Sequence, residues 1–241
     1  LTNLELHELP IEGVESLGRR FDYVVCTGVL HHLADPGTGL RALREVLAPA
    51  GALRLMVYAT YGRYGVHLIQ DYCRRLGITP TPGEIADLVA TLRELPTGHP
   101  LSHALRETPD FQFDDALADA LLNPRERSYT VPELLDLVDT CGLRFERWVH
   151  QAPYLPHCGA LTETPHGHRI ASMAPPDQFA AVDTTDMNPV NAVSHVFDFY
   201  GKFRAIGTLL KIGVAACQEA LAGWGKSDTL FRDEYVRGRV V

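Results

Sequence analysis

The sequence predicts an α/β fold with a helical insertion and a helical C-terminal extension, and three observations support it. Residues 23–26, Tyr-Val-Val-Cys, form an apolar run rich in β-branched and aromatic side chains, which is typical of a strand buried on both faces of a parallel sheet. Residues 36–47 carry apolar side chains at helical spacing. Residues 52–58 then predict a second buried strand. The order of strand, helix and strand indicates a right-handed βαβ unit.

The boundaries of the predicted helix are clear in the sequence. Asp35 is a favourable N-cap, and Pro36 suits the first helical position. Pro49, Ala50 and Gly51 are expected to stop the helix before the second strand begins.

Composition limits the function classes. The chain has 241 residues, of which 46% are hydrophobic, so one or two domains with a core are expected. A formal net charge of -8 and the lack of a Lys/Arg cluster disfavour a nucleic-acid partner. The sequence contains no run of about 18 apolar residues, so it predicts no membrane span. The five cysteines are widely spaced, which favours reduced thiols and a cytoplasmic protein.

The stretch from Phe21 to Leu33, Phe-Asp-Tyr-Val-Val-Cys-Thr-Gly-Val-Leu-His-His-Leu, is followed by Ala-Asp-Pro. It resembles the fourth-strand motif of class I S-adenosylmethionine-dependent methyltransferases. The resemblance extends to about residue 150, so residues 1–150 are interpreted as a partial methyltransferase domain. It implies a Rossmann-like sheet of order 3-2-1-4-5-7-6, S-adenosyl-L-methionine as cofactor and methyl transfer to an unidentified acceptor.

The resemblance also implies which residues border the cofactor. Cys26 ends the first strand, and Thr27, Gly28 and Val29 would contact the cofactor beside its methionine moiety, largely through backbone. Glu8 and Leu9 stand where the family has its adenine-binding loop, and Glu8 would accept a hydrogen bond from the adenine amine. An exposed loop glutamate without a ligand is the alternative for Glu8.

Histidine and tyrosine candidates for chemistry follow the two strands. One of His31 and His32 could act as a general base, because histidine titrates near neutrality, while the other packs locally. The alternative is that both are structural. Tyr58, Tyr61 and Arg63 follow the second strand and could line a substrate pocket, although tyrosines at a sheet edge are as often packing residues.

No Gly-rich G-x-G-x-x-G run precedes Phe21, and no acidic residue ending a second strand is present there. The expectation is a C-terminal methyltransferase part with an incomplete sheet, which binds S-adenosylmethionine weakly or not at all by itself. Residues 4–7 are then expected to pair with strand 22–26, since an unpaired edge is an aggregation hazard.

Residues 65–128 are predicted to be a helical insertion, which is either a lid or a helical layer without a catalytic role. Thr130 and Glu133 form a capping box at the start of a further helix, and an edge strand is predicted at 143–149. Residues 151–191 are predicted to be an irregular, proline-rich connector. Its His157, Cys158, His166 and His168 match no standard zinc spacing, so no metal is predicted.

The C-terminal segment, residues 192–241, carries a different pattern. Apolar residues between 196 and 217 repeat at spacings of 3 and 4, which predicts a mainly helical stretch over 192–222. This helix is either a dimerisation or partner surface, which would make the protein a homo-oligomer, or a helix packed on its own domain.

Three functional hypotheses follow. The first is a methyltransferase. The second is a non-catalytic, methyltransferase-like interaction module with a self-associating C-terminal helix. The third is another α/β enzyme, such as a nicotinamide-dependent one, which would require a Gly-rich turn that the sequence lacks.

Overall fold

The structure, a computed structural model, describes residues 4–102, 105, 113–149, 154–158, 161–185 and 205–211. These residues contain a four-stranded sheet of order β1-β2-β4-β3. Its strands are β1 (Phe21–Thr27), β2 (Leu47–Tyr58), β3 (Arg144–Trp148) and β4 (Ala205–Lys211). The sheet is an incomplete Rossmann-like sheet, as predicted.

Strands β1 and β2 form the expected parallel pair, with Thr27 opposite Met56. The connecting helix α1 (Pro36–Glu45) is capped by Asp35, whose carboxylate accepts from the Gly37 backbone N–H at 2.9 Å. Strand β2 begins at Leu47, earlier than predicted, and the register shifts between Phe21, which lies opposite Leu47, and Tyr23, which lies opposite Ala52.

The prediction that β1 is buried on both faces is wrong. Cys26 and Val24 pack into the core, whereas Tyr23 and Val25 are 38% and 55% exposed. Leu40 and Leu43 of α1 belong to the same core cluster as Cys26, and no described residue pairs with the free edge of β1. Residues 4–10 contain no strand, so the predicted pairing of residues 4–7 with 22–26 is also wrong. They lead instead into a 3-10 helix, Ile11–Leu17, which packs on α1.

Strand β4 corrects the prediction of a mainly helical segment over 192–222. Residues 205–211 lie antiparallel between β2 and β3, with Ala52 opposite Lys211 on one side and Arg144 opposite Lys211 on the other. The observed order corresponds to the 4-5-7-6 part of the expected sheet. The rest of the predicted helical stripe lies outside the described residues.

Helices follow the second strand, as the sequence predicted. They are α2 (Tyr64–Leu76), α3 (Pro82–Arg93) and α4 (Asp114–Leu122). Gly77 ends α2 in a left-handed conformation, and Thr81 caps α3. These helices enclose their own apolar cluster, which includes Ile69, Leu88 and Leu117.

Helix α5 (Val131–Thr140) begins with the predicted capping box and leads into β3. The stretch predicted to be irregular, 151–191, contains two helices, α6 (Pro165–Ala171) and α7 (Pro175–Thr185). Pro165 and Pro175 start these two helices, because proline suits the first helical turn. Within the described ranges, no helix combines the length and apolar character needed to cross a membrane.

The main core lies between β2, α1 and α5. Leu53, Leu55 and Val57 of β2 are fully buried, and Leu134 of α5 packs with them. This core fixes the carboxyl end of β2, where the candidate site begins.

Candidate active site at the carboxyl edge of the sheet

The end of β1 turns sharply at Gly28. Gly28 has a φ of 76°, a left-handed conformation that favours glycine. Its backbone N–H donates to the Met56 carbonyl at 3.3 Å. Val29, which follows, is 41% exposed. This turn therefore presents backbone and a small apolar surface at the edge of the sheet.

Cys26, one of the predicted cofactor residues, turns its side chain into the core. It is 4% exposed, and burial raises the pKa of its thiol to about 11. The thiol is therefore protonated at neutral pH and packs with the apolar core. Cys26 can border a ligand only through its backbone.

Glu8 and Leu9, the predicted adenine-side residues, lie in the segment before the first 3-10 helix. Both side chains are exposed, Leu9 by 44%.

His31 is the buried member of the histidine pair. Its ring is completely inaccessible and lies 3.8 Å from the Tyr58 ring and 4.2 Å from the His32 ring, measured between centroids. Neither ring nitrogen has a hydrogen-bond partner among the residues that the structure describes. Burial lowers the pKa of His31 to about 3, with a smaller effect from nearby His32 and Arg63. His31 is therefore neutral at physiological pH and has a packing role.

His32 differs from its neighbour, because its ring is only partly buried. Its Nδ1 lies 3.2 Å from Nδ2 of Asn123, at the end of α4. The ring meets Tyr58 edge-on at 5.9 Å. Of the two histidines, only His32 can offer a ring nitrogen to a ligand.

Residues 123–130, which we call the strap, run along the end of β2 and the histidine turn. Tyr129 donates its backbone N–H to the Tyr58 carbonyl at 2.8 Å and accepts from Thr60 N–H at 2.9 Å. Arg127 N–H donates to the His31 carbonyl at 2.9 Å. The strap therefore extends the edge of β2 and ties the histidine turn to it.

A buried ion pair joins the strap to the start of α2. Arg63 Nη2 lies 2.8 Å from both carboxylate oxygens of Glu126, and the two side chains are 1% and 4% exposed. Gln70 of α2 donates to the same carboxylate at 3.1 Å and to the Ala120 carbonyl at 2.9 Å. The arrangement connects α2, α4 and the strap.

The three residues predicted to line a substrate pocket, Tyr58, Tyr61 and Arg63, lie in different surroundings. The Arg63 guanidinium lies 3.7 Å above the Tyr58 ring, on which His31 also packs. Its charge is thus used inside the protein, so the geometry indicates a supporting role rather than contact with an acceptor. Tyr61, by contrast, is 40% exposed.

The sequence interpretation missed Asn123, Glu126 and Gln70. By local sequence alone, Asn123-Pro124 is typical of a helix end, and nothing local marks Glu126 as the partner of a residue 63 positions away. No group of three or more potential metal ligands exists within the described part of the chain.

Comparison with known proteins relates part of the chain to a known family. Residues 1–53 match a family described as "Methyltransferase domain". An uncharacterized protein of Synechococcus sp. is 32% identical over 157 residues, which is 60% of this chain and 37% of that protein. The family match agrees, for residues 1–53, with the methyltransferase resemblance seen in the sequence.

The fold comparison agrees with the sequence match. PKMT2 from Rickettsia typhi has a TM-score of 0.58 at 15% identity, over 84% of this chain and 37% of that one. The same protein in complex with AdoHcy gives the same score over 38% of its chain. This chain thus spans less than two-fifths of the length of each relative, and the structural likeness concerns the fold.

Proposed function

We propose that this chain is part of an enzyme that transfers a methyl group from S-adenosylmethionine to an acceptor. The observation that carries the proposal is the Thr27-Gly28-Val29 turn at the end of β1, where Thr27 and Gly28 are half-buried and Val29 is exposed, within the residues that match the methyltransferase family. Ligands of open α/β sheets bind at this edge. The complex of PKMT2 with AdoHcy supports a cofactor of this class.

The residues at the turn fit such a cofactor. Among the described residues, a Cβ at Gly28 would meet the Met56 methyl group at 3.7 Å, which is ordinary van der Waals contact. Val29 and Leu9 offer exposed apolar surface, and Glu8 offers an exposed carboxylate. Backbone at Thr27–Val29 would hold the methionine side, with Glu8 and Leu9 on the adenine side. S-adenosylmethionine supplies an activated methyl group on a sulfonium.

The protein's own residues would then orient the acceptor and exclude water. Tyr58 is held between His31 and Arg63, and Tyr61 extends from the same edge of the sheet. Such rigid walls suit a displacement in which much of the rate comes from positioning. We propose Tyr58 and Tyr61 as acceptor-side residues, with Arg63 holding Tyr58 in place.

Calorimetric titration with AdoHcy tests the proposal. It would be carried out on residues 1–241 and on the full gene product, if the gene encodes residues before Leu1. Saturable binding that Gly28→Val weakens supports a methyltransferase. Absence of binding in both forms contradicts it and favours the alternative, a non-catalytic interaction module.

We further propose a cytoplasmic location with reduced thiols. Cys26, Cys73, Cys141 and Cys158 are free in the described part of the chain. Self-association through 192–222 stays a proposal, and sedimentation of wild type and Phe203→Glu would test it.

A further inference from the structure

The amide side chain of Asn123 makes three hydrogen bonds. Its Oδ1 accepts from the Arg125 backbone N–H at 3.0 Å, and its Nδ2 lies 3.2 Å from Asp119 Oδ1. The third contact joins Nδ2 to Nδ1 of His32, also at 3.2 Å. These contacts determine which ring nitrogen of His32 carries the hydrogen.

The orientation of the Asn123 amide follows from its other two partners. A backbone N–H can only donate, so the atom facing Arg125 must be the amide oxygen. An ionised carboxylate can only accept, so the atom facing Asp119 must be the amide nitrogen. Both contacts require the same orientation, which turns an N–H donor toward His32.

Because Asn123 donates to it, Nδ1 of His32 must carry a lone pair. In a neutral imidazole the other nitrogen then carries the hydrogen. Nε2 of His32 has no hydrogen-bond partner among the described residues. Unlike the nitrogens of His31, it is not sealed from solvent. His32 therefore presents an available N–H rather than a lone pair.

We propose that Asn123 is a positioning residue that holds His32 as a hydrogen-bond donor at the carboxyl edge of the sheet. Its ligand is an oxygen or nitrogen lone pair, supplied by the methyl acceptor or by the carboxylate of the cofactor. This inference rests on the proposed function and refines it, because His32 then orients a ligand and does not remove its proton.

Nuclear magnetic resonance of the ring nitrogens tests the assignment. Long-range proton–nitrogen correlations on protein labelled with nitrogen-15 histidine show which ring nitrogen is protonated, and His32→Gln identifies the signal. The wild-type protein at neutral pH should show protonated Nε2 at His32. Protonated Nδ1 would overturn the proposal.

A matched exchange of two residues provides the sharper test. In Asp119→Asn/Asn123→Asp, composition is unchanged, but position 123 can only accept a hydrogen bond and position 119 supplies the donor. His32 should then shift to protonated Nδ1. The single variant Asn123→Asp should give the same shift if the double variant fails to fold. An unchanged tautomer in a folded variant contradicts the role of Asn123.

Titration with AdoHcy and then with candidate acceptors distinguishes the two ligand sources. A change in the His32 Nε2 signal on addition of AdoHcy assigns the hydrogen bond to the cofactor, and a change only with an acceptor assigns it to the acceptor. No change with either, in protein that binds them, overturns the donor role. Absence of AdoHcy binding both in residues 1–241 and in the full gene product contradicts the proposed function but leaves the tautomer result interpretable.

Discussion

The ends of β1 and β2 are neighbours at the same edge of the sheet, yet they are held very differently. The turn after β1 is held to β2 by the Gly28 N–H bond to Met56, and its neighbours Val25 and Val29 are exposed. At the end of β2, the backbone of Tyr58 and Thr60 is hydrogen-bonded to Tyr129 of the strap. The buried pair of Arg63 and Glu126 lies beside it.

This difference matches the two tasks of the proposed reaction. The end of β1 presents open backbone and apolar surface, as a cofactor edge requires. The end of β2 is rigid, because Tyr58 packs against His31 and Arg63. A rigid acceptor side is what catalysis by positioning needs. Variants at the two ends should therefore have separable effects on stability and binding.

The largest expected effect is at the end of β2. Glu126→Ala leaves the buried Arg63 guanidinium without its carboxylate, and breaking a buried pair in this way costs roughly 3–5 kcal/mol. Denaturant unfolding followed by circular dichroism measures the loss. Asp71→Ala is the matched control, because its pair with Arg75 is exposed and should contribute nothing measurable. Equal unfolding midpoints for both variants would contradict the importance of the buried pair.

Next in size is an acid-dependent effect of His31. Its pKa is about 3 in the folded protein, below its ordinary value of 6.5, so the unfolded chain binds the proton more readily. The folded state therefore has its full stability above about pH 6.5 and loses it as the pH falls toward 3.

Replacing the ring should remove this acid sensitivity. At pH 5 the penalty from His31 is roughly 2 kcal/mol, and His31→Phe should lack it. Urea unfolding of both proteins at pH 7 and pH 5 gives the comparison, since the two proteins share every other titratable group. Parallel losses of stability would show that His31 is accessible to protons in the folded state.

A smaller loss of stability is expected at the end of β1, where two matched variants separate an effect on stability from an effect on AdoHcy binding. Gly28→Val and Gly18→Val each place a side chain on left-handed backbone, at φ 76° and 64°, which costs about 1–2 kcal/mol. Only Gly28→Val should weaken AdoHcy binding, because Gly18 lies away from the turn. The check is calorimetry on whichever form of the protein binds AdoHcy. Equal affinities of the two variants would exclude the Gly28 turn from the cofactor site.

Local signals were sufficient to predict much of the fold. Asp35, Thr81 and Thr130 start helices as their side-chain chemistry predicts, and Gly77 ends one. The βαβ unit follows from two apolar runs around an amphipathic helix. These features depend on neighbours in sequence, so composition and spacing reveal them.

The missed features depend on partners far away in the chain. Residues 205–211 form a strand because β2 and β3 pair with them, whereas a short apolar run by itself does not distinguish a strand from a helix. The contacts of Asn123 with His32 and of Glu126 with Arg63 likewise exist only after folding. The sequence places both histidines just after β1, but it does not show which ring is buried.

The smallest effect is expected on the uncovered face of β1. Val25 is 55% exposed, so Val25→Ala should change the unfolding free energy by no more than about 0.5 kcal/mol. Val57, on the paired strand β2, is fully buried, and Val57→Ala should cost roughly 2 kcal/mol. Denaturant unfolding of both variants measures the two losses of unfolding free energy. If Val25→Ala costs as much as Val57→Ala, this face is covered in the folded protein. A dependence of that cost on protein concentration would assign the cover to a second copy, whereas independence would assign it to residues of the same chain.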